Sequence, residues 1–165
     1  MDTNPDNQHR QSDDRGLTPD AERPWTRCLA AAALYRQRWG WPVYASGDAV
    51  WLLLPMTMAA ISIHIPDSRR AELRPAFDNI TGPIIDYADG HCIILTHCTV
   101  LNAEHIGTDQ HDSPVVHLGP HNSIDLPPSI VAGTGATWLH APTGDQPLPA
   151  CVPSLTLTRR LLAGQ

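Results

Sequence analysis

The sequence contains no lysine. All 11 of its basic side chains are arginine, set against 17 acidic ones, for a formal net charge of −6 over 165 residues. That balance excludes a protein that coats nucleic acid nonspecifically, because tight phosphate binding of that kind needs an excess of cations. Weak or local contact with nucleic acid stays open. No CxxC pair occurs among Cys28, Cys92, Cys98 and Cys151, so neither a disulfide scaffold nor a structural zinc ribbon is expected. There is no long hydrophobic run. The longest, from Ala49 to Met56, falls far below the roughly 20 residues needed to span a bilayer. The opening residues, Met1 to Gly16, hold no apolar segment of a secretory signal. The expectation is a soluble, cytoplasmic protein with reduced thiols and no membrane contact. No GxSxG elbow, P-loop or GxGxxG occurs either, which removes the recognisable signals for nucleophilic catalysis and phosphate cradling.

What is present suits one folded domain behind a polar tail. Residues 1 to 24 contain a single leucine, Leu17, and six acids against three arginines. Such a segment buries too little apolar surface to offset the entropy of ordering, so a disordered tail is expected, with the domain from Trp25 to Gln165. Thr26 is placed to cap a helix through Trp39, its packing face drawn through Leu29, Ala32, Ala33 and Arg36, and Gly40 follows as its stop. Strands are expected at Trp41 to Tyr44, at Val50 to Leu54 (a continuous apolar run, buried on both faces) and at Ile61 to Ile65, where Ser62 and His64 alternate with isoleucines. A helix starts at Pro66, Asp67 and Ser68 and runs to about Asp78. Ile84 and Ile93 belong to two strands joined by a turn at Asp89-Gly90, a strong hairpin signal. Residues 101 to 113 read as a short helix or loop, and further strands fall at Val115 to Leu118, near Ser123 to Leu126 and at Ala136 to Leu139. A final helix opens at Pro153-Ser154. The sum is a mixed α/β (α+β) domain with a mostly antiparallel or mixed sheet of six or seven strands and three helices.

Three constellations carry potential chemistry. His91, Cys92, His97, Cys98, His105, His111, His117 and His121 are dense in metal-ligating atoms. Their spacings match no zinc pattern, and His91 and His97 lie roughly 20 Å apart on a straight strand. Solvated or hydrogen-bonded histidines are the plainer reading, and a His-rich metal-binding protein is the alternative. Asp86 and Asp89, beside His91, could hold Mg²⁺ for phosphoryl transfer, although the turn alone accounts for Asp89. Pro127-Pro128-Ser129 is a rigid loop. The arginines Arg36, Arg38, Arg69, Arg70 and Arg74 are candidate anion contacts or solvated helix faces.

The order of segments resembles the N-terminal domain of bifunctional DNA primase/polymerases, a branch of the archaeo-eukaryotic primase superfamily that acts in DNA replication. Four places carry the resemblance: Ala33-Leu34-Tyr35 through Gly40-Trp41-Pro42-Val43; Gly82-Pro83 through Asp89-Gly90-His91-Cys92-Ile93-Ile94; Val116 through Leu126-Pro127-Pro128-Ser129; and Gly133-Thr134-Gly135-Ala136-Thr137-Trp138. Together they span about residues 27 to 162. The resemblance implies a primase/polymerase-like fold and metal-dependent nucleotidyl transfer, with a pair of acids on a hydrophobic strand and a motif histidine at His91. The strand in question, Ile61 to Asp67, has Ser62 and His64 where acids are wanted, and only Asp67 beyond. His121-Asn122-Ser123 stands in place of the family's Gly-Gly-Tyr. The resemblance therefore implies a shortened, degenerate member, a non-catalytic module for a nucleotide, a nucleic acid or a protein, with His64, His91, Arg69 and Arg70 as binding candidates. No cofactor or metal is expected for it. The alternative is an active nucleotidyltransferase using Mg²⁺ or Mn²⁺ on Asp67, Asp86 and Asp89.

Overall fold

The computed structural model describes residues 23–98, 114–131, 133–144 and 147–163. The expected tail, apart from its last two residues, and the segment 101 to 113 with His105 and His111 lie outside the described residues. Helix α1 spans Pro24–Trp39, followed by β1 (Val43–Ser46), β2 (Ala49–Leu53), β3 (Met58–His64), α2 (Asp67–Phe77), β4 (Ile84–Tyr87) and β5 (His91–His97). Then come β6 (Val115–Leu118), β7 (Ser123–Leu126), the two-residue β8 (Ile130–Val131), β9 (Thr134–His140) and α3 (Cys151–Ala163). The α+β class follows the sequence pattern. The strands, however, divide between a three-stranded sheet in the order β1-β2-β7 and a larger one in the order β6-β3-β5-β4-β9-β8. All pairings between these strands are antiparallel.

Strand β3 organises both cores. Met58 and Ala60 point to one face of the large sheet, where they meet Ile85, Tyr87, Ile93 and Leu95 beneath the small sheet and α1. Ala59, Ile61 and Ile63 point to the other face, where Leu73 and Phe77 of α2 and Leu155 of α3 cover them. The period-two alternation seen at Ile61 to Ile65 thus continues back to Met58, but both faces are apolar there because each has a layer packed on it.

Some local expectations change. Helix α1 begins at Pro24 and not after Thr26, since proline's fixed φ suits a first helical position. Its buried stripe is Cys28, Ala32 and Tyr35, whereas Leu29 and Ala33 are exposed. Tyr35 sets that stripe: its hydroxyl donates to the Pro127 carbonyl at 2.7 Å and accepts from Trp138 Nε1 at 2.9 Å. Gly40 ends α1 in the left-handed region with φ 65°, as the sequence implies. Strand β2 is buried on one face only, because nothing among the described residues covers the outer face of the small sheet. Trp51 and Leu53 stay exposed there beside Tyr44.

The Pro127-Pro128-Ser129 loop is a structural clamp. Ser129 is fully buried; its Oγ accepts the Val50 amide proton at 2.7 Å and faces the carbonyls of Leu126 and Val50 as donor. Replacing Ser129 by alanine leaves buried backbone groups unpaired. The Ser129→Ala protein should lose about 1–3 kcal/mol in denaturant unfolding, the cost of orphaning buried polar groups.

Candidate functional site

Strand register decides which candidate residues meet. His64 ends β3, His91 begins β5, and the two are direct partners in the ladder. Their rings lie 4.7 Å apart between centroids at 50°. Ser62 shares that face two residues back, opposite Ile93. This is the face that the small sheet covers elsewhere, but both histidines lie beyond its cover and are exposed. Sequence reasoning placed Ser62 and His64 on one face. It could not place His91 beside them, because that contact depends on pairing across 27 residues.

The β4–β5 turn holds His91 in place. Asp89 Oδ1 accepts the His91 amide proton at 3.1 Å and its Oδ2 lies 3.2 Å from the ring Nδ1. Burial works to raise the Asp89 pKa, but these hydrogen bonds and the nearby imidazole outweigh it, and the carboxyl sits below its ordinary range. Gly90 has φ 92°, and a Cβ there would stand 2.9 Å from the Ile65 carbonyl oxygen and 3.5 Å from the His64 ring. Only glycine lets the turn approach the end of β3 this closely.

Asp86 lies on the opposite face. Its register partner is Cys92, whose ladder partner Ile63 belongs to the core under α2. Arg70 forms an ion pair with Asp86 and also donates to the Tyr87 carbonyl at 2.8 Å. Cys92 Sγ is 3.4 Å from Asp86 Oδ1, and its thiol is pushed up to about 12, first by burial and then by the neighbouring carboxylate. Asp86 thus anchors α2 to β4, with its charge already compensated. Asp67, exposed in the first turn of α2, suits the positive end of that helix. The three carboxylates proposed for metal chemistry are therefore not gathered at one point. Among the described residues, no group of three or more His, Cys, Asp or Glu could hold a metal ion.

Four of the five candidate arginines make internal contacts as well, and Arg74 is exposed. Arg69 Nη1 donates to the Leu162 carbonyl at 3.0 Å, tying α2 to α3. Arg36 Nε bonds the Ala32 carbonyl at 3.2 Å, and the Arg38 guanidinium lies 5.2 Å from the centre of the Trp39 ring. His97 stands at the far end of β5, opposite Met58. His117 is half-buried on β6 and burial lowers its pKa. No family model matches the chain, and neither does any curated protein or solved structure. No helix among the described residues is long and apolar enough to cross a membrane.

Two outcomes follow from this geometry. The depressed Asp89 pKa contributes stability that is present above the unfolded carboxylate value and lost as pH falls through the folded one. In an NMR titration of the side-chain carboxyl, His91→Ala should move the Asp89 midpoint upward. An unmoved midpoint would contradict the contact. All four cysteines are at most 4% exposed. Iodoacetamide at pH 8 should therefore alkylate none of them in the folded protein and all four in urea, counted by mass spectrometry.

Proposed function

We propose that the chain is a primase/polymerase-like domain without the catalytic acids, acting as a binding module for a nucleotide or a short stretch of nucleic acid. The observation that carries this reading is the His64–His91 pair. In the resembling family the strand position of His64 belongs to a metal-binding acid, and His91 matches the motif histidine. Here the two imidazoles face each other on an open sheet surface. Imidazole N–H groups donate hydrogen bonds to phosphate oxygens. Ser62 adds a hydroxyl on the same face.

The dispersed acids favour binding over catalysis. Two-metal phosphoryl transfer needs carboxylates that converge on the reacting phosphate. Asp86 is paired with Arg70 on the other face of the sheet. The chain's acidic balance also argues for a weak, local contact, since few cations are available to neutralise a backbone.

The test is a fluorescence-anisotropy titration with labelled single-stranded DNA and with nucleotide as competitor, at low and moderate salt. The expected result is weak, salt-sensitive binding that the His64→Ala, His91→Ala double variant reduces at least about fivefold, each lost charge-assisted hydrogen bond contributing of the order of 1 kcal/mol. No binding at low salt would remove the nucleic-acid reading. Primer extension with Mg²⁺ or Mn²⁺ is expected to give no product. A product would replace the binding module by an active nucleotidyltransferase.

A further inference from the structure

A concave site lies toward the other end of the large sheet, away from His64 and His91. It is a cavity of about 400 Å³, within the size range of small-molecule sites. Its walls come from the end of α1 and the turn after it (Trp39, Trp41), the C-cap of α2 (Asp78) with the loop into β4, and the end of β9 (His140) with the residues beyond it. None of these wall residues is Lys or Arg.

We propose that this cavity binds an organic ammonium group, such as a methylated amine. Two indoles and one carboxylate define the chemistry. Trp39 and Trp41 line the cavity together, 5.6 Å apart between ring centroids at 33°. Tyr35, which does not line the cavity, packs against both, at 5.8 Å from Trp39 and 6.0 Å from Trp41. Indole rings attract cations through their quadrupole, more strongly than phenol or benzene rings do. The Trp39 ring already holds one cation in this way, the guanidinium of Arg38.

Asp78 supplies the countercharge. It is the C-cap residue of α2, at the negative end of the helix dipole. The last turns of both helices carry arginine, Arg74 in α2 and Arg36 with Arg38 in α1. Among the described wall residues the one imidazole is His140, whose Nε2 lies 3.5 Å from Asp78 Oδ1. Apolar surface from Ile80, Pro83, Pro142 and Leu148 suits the methyl groups of an alkylated ammonium. Among the described wall residues, a phosphate or carboxylate ligand would meet Asp78 and no lysine or arginine.

Calorimetric titration of the full chain tests the proposal. The probes are choline, tetramethylammonium, a peptide carrying trimethyl-lysine, and the neutral choline isostere 3,3-dimethylbutan-1-ol. The expected result is saturable binding of the ammonium probes, at least about tenfold tighter than the neutral alcohol. Asp78 is 71% exposed, so Asp78→Asn should leave the thermal unfolding midpoint unchanged while weakening choline binding several-fold. Tighter binding of the peptide than of choline would identify a modified protein as the source of the cation. Equal or weaker binding would identify a free amine. The proposal is overturned if the neutral alcohol binds as well as choline, if Asp78→Asn binds like the parent chain, or if no probe gives saturable heat up to about 10 mM, a range that covers even millimolar affinity.

Discussion

The pairing of β3 with β5 is the interaction on which the other elements depend. It runs over seven residue pairs, from Met58↔His97 to His64↔His91. Successive residues of both strands feed opposite cores. One core is closed by the small sheet and α1, the other by α2 and α3. Burying a large aliphatic side chain contributes roughly 1.5–3 kcal/mol, and Ile61, Ile63, Ile94 and Leu95 are all fully buried along this one ladder. A slip of one residue would exchange the two faces and send Ile61 and Ile63 toward the small sheet. The same register sets His64 against His91, so the candidate site is a direct product of the constraint that builds the cores.

Charge placement follows from the same alternation. Asp86 and His91 belong to adjacent strands but opposite faces. Asp86 meets Arg70 of α2 and becomes a tether, and the Cys92 thiol beside it is held protonated. Asp89, three residues on and in the turn, lies on neither face and fixes the His91 ring instead. An ion pair that is partly buried is costly to break from one side, because the remaining charge keeps its desolvation cost. That cost makes Asp86 and Arg70 structural partners rather than free groups for metal or phosphate. The acidic balance of the chain is therefore spread among local roles.

Much of the fold was legible in the sequence. The Asp89-Gly90 hairpin, the Gly40 stop and the alternation at Ile61 to Ile65 each have a local physical cause, and each stands where its cause puts it. The misjudged features were those governed by packing between distant segments. Val50 to Leu54 looked buried on both faces because its composition is apolar throughout. Trp51 and Leu53 are nevertheless exposed, since no described layer packs on that side. The face of α1 was displaced from Leu29 to Cys28 and Tyr35 because the Tyr35 hydroxyl bonds to Pro127, 92 residues away. The aromatic wall of Trp39 and Trp41 was visible only as two tryptophans in sequence. Its partners Asp78 and His140 gave no local signal.

The α+β class, the main turns and the groups available for chemistry (arginine without lysine, scattered carboxylates, histidines at strand ends) are all set locally along the chain. These depend on backbone preference and side-chain period, which act over a few residues. Which of these groups meet depends on how distant segments pack. That packing set His64 against His91, drew Asp86 away to Arg70, and enclosed a cavity between segments far apart in the chain. The physical reason is that a strand's two faces look alike from its own sequence. They become different only when separate layers, here α2 and α3 on one side and the small sheet with α1 on the other, compete to cover them.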